Sequence, residues 1–232
     1  MAEPFDDIIR EYIDFVNRQV GVYMDAMAGF ENIKLKIERQ VHRVNRRTKM
    51  AINEAGERVM VWSSFEDPSQ PDIIHSQIVR ANKYIAANSS GGANERQHSQ
   101  AILVFLVAYW ESSVRPRLAQ ARGVETNKIE SNVMGDLTIV RNAILHSKAV
   151  IKSKEYKRLK SLSDILEEEQ EIFVPYENMH KVFYKIKQDL AGLLFDWLGI
   201  KERPLVQTSY ATSPFKKFDK PHNHPRAKML RR

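Results

Sequence analysis

The run Ala101-Ile-Leu-Val-Phe-Leu-Val-Ala-Tyr-Trp110 is the longest apolar stretch of the 232-residue chain. Its ten residues are too few to cross a bilayer, which needs roughly 20 residues as a helix. A helix that is apolar on most of its sides is instead buried at the centre of a bundle. Residues 95–121, which surround this run, therefore predict the central helix of a mainly all-α fold, and Pro116 is expected to kink or end it.

Amphipathic helices are predicted on both sides of this central helix. Residues 6–47 carry apolar residues at the i, i+3, i+4 and i+7 spacing and predict two helices or one long kinked helix. Residues 177–198 carry a second such stripe. Between them, a third stripe follows Asp136, and aspartate is a favoured N-cap residue, so we expect a helix to begin there. Together these segments predict an antiparallel helical bundle.

Other segments depart from the helical pattern. In residues 50–62 apolar residues alternate on both sides of a glycine-containing turn, which predicts a small β-hairpin insertion. Residues 73–87 predict a short helix. The last segment is rich in proline and bases and poor in apolar residues, which is typical of disorder. We therefore expect one domain over residues 1–200 and a flexible basic tail over residues 201–232.

The formal net charge of +7 suggests a polyanionic partner, but it is concentrated in the tail. Residues 201–232 hold nine bases and two acids, so residues 1–200 sum to zero. Within that neutral part, residues 141–160 hold seven bases and one acid, and residues 164–171 hold five acids. The net charge of zero over residues 1–200 therefore includes a basic segment and an acidic segment whose charges offset each other.

The composition excludes several functional classes. The chain contains no cysteine, which excludes a disulfide scaffold, a thiol nucleophile and a thiolate metal site, and which fits a reducing compartment. No phosphate-binding loop, nucleophile elbow or His-Glu-x-x-His motif is present. The acidic N-terminal segment has no apolar stretch of the kind that a secretory signal carries. We therefore expect a cytoplasmic protein with no membrane contact, no cofactor and no metal.

Three polar residues interrupt the buried stripe that follows Asp136. They are Arg141, Asn142 and His146, in the stretch Arg141-Asn-Ala-Ile-Leu-His146. On a helix at about 100° per residue, Asn142 and His146 share a face, and the long side chain of Arg141 can swing towards them. An imidazole can exchange protons with a ribose 2′-hydroxyl or a leaving 5′-oxygen. An arginine fork can hold the charge that builds on the phosphate oxygens. These residue types suit metal-independent RNA cleavage.

The stretch Gly135-Asp-Leu-Thr-Ile-Val-Arg-Asn-Ala-Ile-Leu-His146 resembles the Arg-x4-His signature of HEPN domains, the higher eukaryotes and prokaryotes nucleotide-binding superfamily. Asn142 corresponds to the polar residue that often follows the arginine. Tyr109-Trp110-Glu111 followed by Arg115 is similar to the aromatic, acidic and basic pattern on the preceding helix of many members. The resemblance covers residues 95–198, about half of the chain.

The resemblance implies an all-α bundle that forms a homodimer, with the two motifs facing each other in one composite site. Active members are metal-independent ribonucleases, often in toxin–antitoxin, abortive-infection or other defence systems. Arg141 would then stabilise the charge on phosphorus, His146 would transfer the proton, and Asn142 would position the scissile phosphate or His146. The implied partners are RNA, a second copy of the chain, and an antitoxin or regulatory protein.

Further residues are candidates for supporting roles. Glu111 either orients Arg141 or His146 from the neighbouring helix or pairs with Arg115 at i, i+4. Asp136 is either a helix cap, which is the simpler interpretation, or a member of the site. Three lysines after the motif either bind RNA phosphates or form a solvated face: Lys148, Lys152 and Lys154.

Two alternatives to a ribonuclease stay open. One is a HEPN-like module without turnover, which binds a partner protein, a nucleotide or RNA. The other is a helical scaffold that binds nucleic acid only through residues 201–232. Loss of RNA cleavage in His146→Ala separates the enzyme from the first alternative, and deletion of the tail tests the second.

Overall fold

The computed structural model describes residues 3–43, 57–65, 69 and 74–200. The chain divides into two units after Gly199, and the elements of the first unit follow. The elements are α1 (Phe5–Arg43), β1 (Val59–Phe65), β2 (Ile74–Arg80), α2 (Ala81–Ala87), α3 (Ala93–Tyr109), α4 (Arg115–Arg122), α5 (Asn132–His146), α6 (Ser153–Tyr156) and α7 (Tyr176–Trp197). Helices dominate, which confirms the mainly all-α fold. The predicted tail, residues 201–232, lies outside the described residues.

The first helix, α1, is one continuous helix of 39 residues and not two. Gly21 and Gly29 lie inside it without breaking it, although a helical glycine costs about 0.5–1 kcal/mol relative to alanine. Burial of one face of α1 against α3, α4 and α7 offsets that cost. The face consists of Phe5, Ile8, Ile9, Tyr12, Phe15, Val16 and Tyr23. Residues 44–47, where the predicted segment ends, lie outside the described residues.

The central helix continues past Pro116 because one of its turns is π-helical and not α-helical. Between α3 and α4 the chain forms a π-helical turn over Trp110–Val114, in which the N–H of Arg115 donates to the carbonyl of Trp110. A proline ring inside an α-helix collides with the carbonyl four residues before it, and a wider turn gives the ring room. Pro116 therefore does not end the helix, which continues to Arg122.

The core lies between α1, the central helix, α5 and α7. Its members on the central helix and α5 include Leu103, Leu106, Val107, Trp110, Leu137 and Val140. The predicted stripe of α7 is buried over Met179, Val182, Phe183, Ile186 and Leu190. Since α3 packs on α5, the helix that carries the arginine–histidine motif belongs to the centre of the bundle. Within the described part of the chain, no helix is both long enough and apolar enough to cross a membrane.

The β-hairpin is formed by other residues than predicted. β1 pairs with β2 in antiparallel register, with Val59 opposite Arg80 and Phe65 opposite Ile74. Residues 50–56 of the predicted hairpin lie outside the described residues, while residues 59–62 fall on β1. The predicted helix over residues 73–87 is wrong in its first half, since only Ala81–Ala87 is helical. A segment of seven residues is too short for periodicity to separate strand from helix.

A polar cluster joins α1 to the central helix. The guanidinium of Arg117 donates from Nη2 to Oε2 of Glu11 at 2.6 Å and to Oε1 of Glu3 at 2.5 Å. The hydroxyl of Tyr109 also donates to Glu11. The hydrogen bonds from Arg117 and then from Tyr109 lower the pKa of the Glu11 carboxyl from 4.5 to about 2. The ionised carboxylate of Glu11 is thus part of the α1 interface.

The motif helix α5 begins earlier than predicted. Its N-cap is Ser131, whose Oγ accepts a hydrogen bond from the N–H of Met134 at 3.1 Å. Asp136 lies inside the helix and is 2% exposed. The prediction that Asp136 caps α5 is therefore wrong, because Ser131 is the N-cap and accepts from a free N–H group of the first turn.

Candidate functional site

An open cleft of about 930 Å³ lies along α5 and is called the α5 cleft below. Its first wall is α5 itself. The second wall comes from the π-helical turn and the start of α4. The third wall comes from the end of α6 and the loop after it. The principal lining residues of the first wall are Gly135, Thr138, Asn142 and His146. Those of the second wall are Trp110, Glu111 and Arg115. Those of the third wall are Glu155, Lys157, Arg158 and Lys160.

Asn142 and His146 lie side by side in this cleft, one helical turn apart and exposed. This is the arrangement that their i, i+4 spacing predicts. Neither side chain makes a hydrogen bond or ion pair with another residue of the described ranges. The amide and the imidazole are therefore both available to a ligand.

Arg141 lies on a neighbouring face of α5 and is not among the residues that line the cleft. Its Nη2 donates to Oε2 of Glu111 at 2.8 Å, and the two side chains are 26% and 32% exposed. Its Nε is buried without a hydrogen-bond partner, which costs about 1–3 kcal/mol. No hydrogen bond joins Arg141 to His146 in the described structure. Three side chains were predicted to lie together. Within one chain, only Asn142 and His146 do so.

Glu111 pairs with Arg141 and not with Arg115. Its Oε1 also accepts a hydrogen bond from Oγ1 of Thr138 at 3.0 Å, so the carboxylate is held against α5 from two sides. Arg115 instead donates from Nε to the carbonyl of Ile129 at 3.0 Å. The i, i+4 pairing presumes an α-helical turn, whereas the π-helical turn separates these two residues. The alternative in which Glu111 orients Arg141 is the one that fits this geometry.

Asp136 is a buried anchor for the third wall. Its carboxylate accepts hydrogen bonds from three successive backbone N–H groups, those of Lys160, Ser161 and Leu162, at 2.6–3.0 Å. Successive N–H groups of this kind form an anion-binding concavity, which is what a buried charge requires. The sequence signal for such a role was the position of Asp136, three residues after Val133 on a stripe that is otherwise apolar.

The three lysines predicted to bind phosphate do not line the cleft. Lys148, Lys152 and Lys154 are exposed elsewhere. Lys148 and Ala149 have left-handed backbone conformations, with φ of 53° and 59°. They turn the chain sharply after His146, so that the segment that follows leaves α5. Besides Arg115 on the second wall, the cations that line the cleft come later in the same basic segment: Lys157, Arg158 and Lys160.

Four acids and four bases line the cleft, but three of the bases lie together on its third wall, and most of the acids are already engaged. Glu111 is paired with Arg141, and Asp136 is satisfied by backbone N–H groups. Glu155 accepts a hydrogen bond from the backbone N–H of Lys152 at 3.2 Å. Glu130 is the remaining carboxylate among the lining residues. The third wall therefore presents a positive surface.

No cluster of three or more His, Asp or Glu side chains suited to a metal ion occurs within the described residues. Comparisons of the chain with protein-family models, with curated proteins and with solved structures find no match. The relation to HEPN domains therefore stays a prediction that rests on the residues quoted above.

Proposed function

We propose that this protein is a metal-independent endoribonuclease of the HEPN type, acting as a homodimer in the cytoplasm in a toxin–antitoxin, abortive-infection or other defence role. The observation that carries the proposal is the exposed pair Asn142 and His146, which lies free of other partners in a cleft with a cationic wall. An antitoxin or regulatory protein would restrain the activity.

The proposed reaction needs one proton acceptor, one proton donor and a cation. The imidazole of His146 takes the proton of the ribose 2′-hydroxyl, and the 2′-oxygen forms a bond to phosphorus. The bond from phosphorus to the 5′-oxygen breaks, and the proton taken up by His146 passes to that oxygen. The products are a 2′,3′-cyclic phosphate and a 5′-hydroxyl end. Asn142 positions the phosphate or His146, and the guanidinium of Arg141 stabilises the charge on the phosphate oxygens.

The position of Arg141 outside the cleft favours a composite site made by two copies. Beside Arg141, an exposed apolar groove runs between α3 and α5, lined by Ala101, Val104, Phe105, Ala108, Ile144 and Leu145 among others. Phe105 is 54% exposed and Leu145 is 55% exposed, and adjoining apolar side chains of this size are typical of interfaces. We place the second copy on this groove, where the arginine of one copy can reach the histidine of the other.

Cleavage of single-stranded RNA by the purified full chain in EDTA tests the proposal. Because His146 is exposed and makes no side-chain hydrogen bond in the described structure, His146→Ala should lower the rate by about 10²–10⁴ and leave the melting temperature unchanged. His224→Ala, in the predicted tail, is the matched control and should cut like the wild type. Failure of the wild type to cut any RNA, or unchanged cleavage by His146→Ala, contradicts the enzyme.

A binding module without turnover is the second candidate. The observation that favours it is the Arg141–Glu111 ion pair, which already engages the guanidinium of Arg141, a residue that does not line the cleft. Under this alternative the wild type and His146→Ala bind RNA, a nucleotide or a partner protein equally well, and neither cuts RNA.

A further inference from the structure

We infer that the third wall of the α5 cleft, residues 157–160, is a subsite for the phosphate groups of single-stranded RNA beside the scissile one, and that Asp136 is its positioning residue. The substrate class rests on the proposed function.

Three cations of this wall face the same cleft as Asn142 and His146. Lys157, Arg158 and Lys160 are exposed and line the cleft, and none forms an ion pair with another described residue. Four consecutive residues extend over at most about 14 Å, so the three charges act on one short stretch of a nucleic-acid backbone. Arginine and lysine are the residues that neutralise phosphates in nucleic-acid complexes.

The wall is held in place from two sides. Helix α6 ends at Tyr156, so regular structure does not extend through the cationic residues. From α5, Asp136 accepts the backbone N–H groups of residues 160–162. From α7, Lys185 donates to the carbonyl of Ser161 at 2.5 Å and to Asp164 at 2.6 Å. A binding site gains affinity when its groups are fixed before the ligand arrives.

The buried flanks of the wall keep its cations turned outward. Leu159 is 9% exposed and Leu162 is 1% exposed, and both belong to the core. The apolar side chains therefore tie the loop to the bundle, while the charged ones between and around them remain in solvent. This placement distinguishes the wall from Lys148, Lys152 and Lys154, which precede it and do not line the cleft.

A pair of matched triple variants tests the subsite in the full chain. Both carry His146→Ala, so that RNA stays uncut, and both keep the tail. The cleft triple is Lys157→Gln, Arg158→Gln and Lys160→Gln; the control triple is Lys148→Gln, Lys152→Gln and Lys154→Gln. Each removes three positive charges from the same basic segment. The affinity for a labelled oligouridine of about 12 nucleotides, a length within the range of single-strand sites, is measured by fluorescence anisotropy over a series of salt concentrations.

We expect the cleft triple to weaken binding about tenfold or more at low salt and to flatten the slope of log K against log salt by about 2, since each phosphate contact on a single strand contributes about 0.7. The control triple should leave the slope within about 0.5 of its parent. Equal losses in the two triples, a larger loss in the control, or no loss in either overturns the subsite. Because binding is measured on uncut RNA, a wild type that fails to cut RNA does not affect this result.

Asp136→Asn tests the positioning role separately. This variant keeps all three cations but replaces one acceptor oxygen by a donor that faces the N–H groups. Far below its melting temperature and with an unchanged circular dichroism spectrum, it should bind the oligouridine several-fold more weakly. A purely structural aspartate would lower the melting temperature and leave the affinity of the folded protein unchanged. If Asp136→Asn does not fold, the two triples decide the inference.

Discussion

Replacing Asp136 by alanine should destabilise the fold more than any replacement of an exposed carboxylate. The substitution removes one buried carboxylate and leaves three backbone N–H groups without their acceptor. Lys160 is exposed and Leu162 is buried, so we expect water to replace the lost carboxylate more readily at the N–H of Lys160 than at that of Leu162. After the substitution, we therefore expect the N–H group of Lys160 to find water as a new acceptor and that of Leu162 to stay without one.

The magnitude follows from these three donors. A hydrogen bond to a charged group contributes about 1.5–3 kcal/mol, and a buried N–H without a partner costs about 1–3 kcal/mol. Against this, the variant no longer buries a charge, which returns part of the loss. We therefore expect Asp136→Ala to lower the free energy of unfolding by about 2–4 kcal/mol. For a domain of this size that is about 4–16 °C in melting temperature.

Urea denaturation followed by circular dichroism measures this loss. The matched control is Asp14→Ala, which removes an exposed carboxylate from α1 and should change the free energy of unfolding by less than about 0.5 kcal/mol. Asp136→Asn keeps one acceptor oxygen and should fall between the two. If Asp136→Ala is as stable as the Asp14→Ala control, the carboxylate does not anchor residues 160–162, and the third wall of the cleft lacks the support argued for it.

Two further predictions concern the ion pairs. Glu111→Gln should reduce RNA cleavage at least tenfold, because Arg141 loses the carboxylate that orients it. The free energy of unfolding should fall by less than about 1 kcal/mol, because the ion pair is partly exposed. A rate equal to that of the wild type in the RNA assay contradicts the orienting role. The pKa of Glu11 is lowered from 4.5 to about 2 by Arg117 and Tyr109, so its contribution to stability is complete above about pH 4.5 and is lost as the pH falls towards 2. The melting temperature of Glu11→Gln should therefore depend less on pH across this window than that of the wild type, and parallel curves would show that folding does not lower the pKa of Glu11.

The sequence predicted the long helices well because their signal is local. The stripe on residues 177–198 specifies a buried face over many turns, and α7 buries that face. The hairpin was misassigned because its strands contain seven residues each and lie nine residues apart along the chain. In such short segments the partner of a strand decides its conformation, and the partner is not readable from the segment itself.

The candidate site divides in the same way. The placement of Asn142 and His146 on one face of α5 follows from helical geometry alone. The ion pair between Glu111 and Arg141 joins residues 30 positions apart and depends on a π-helical turn. The anchoring of residues 160–162 by Asp136 spans 24–26 positions. Contacts of this range depend on how the helices pack, so the sequence indicated the residue types and not their partners.

The charge distribution shows why a net charge does not locate a nucleic-acid site. Residues 1–200 sum to zero, yet the α5 cleft has a cationic wall, because Lys157, Arg158 and Lys160 lie together on it. The tail carries the whole of the +7, and we predict that it adds a second attraction to RNA that does not depend on sequence. The two sources differ in what they affect. Deletion of residues 201–232 should weaken RNA binding and flatten its salt dependence while residual cleavage persists. Removal of the cations at 157–160 should also slow cleavage, since those charges line the same cleft as His146. A tail deletion that abolishes all binding would assign RNA recognition to the tail alone and leave the cleft without a role in it.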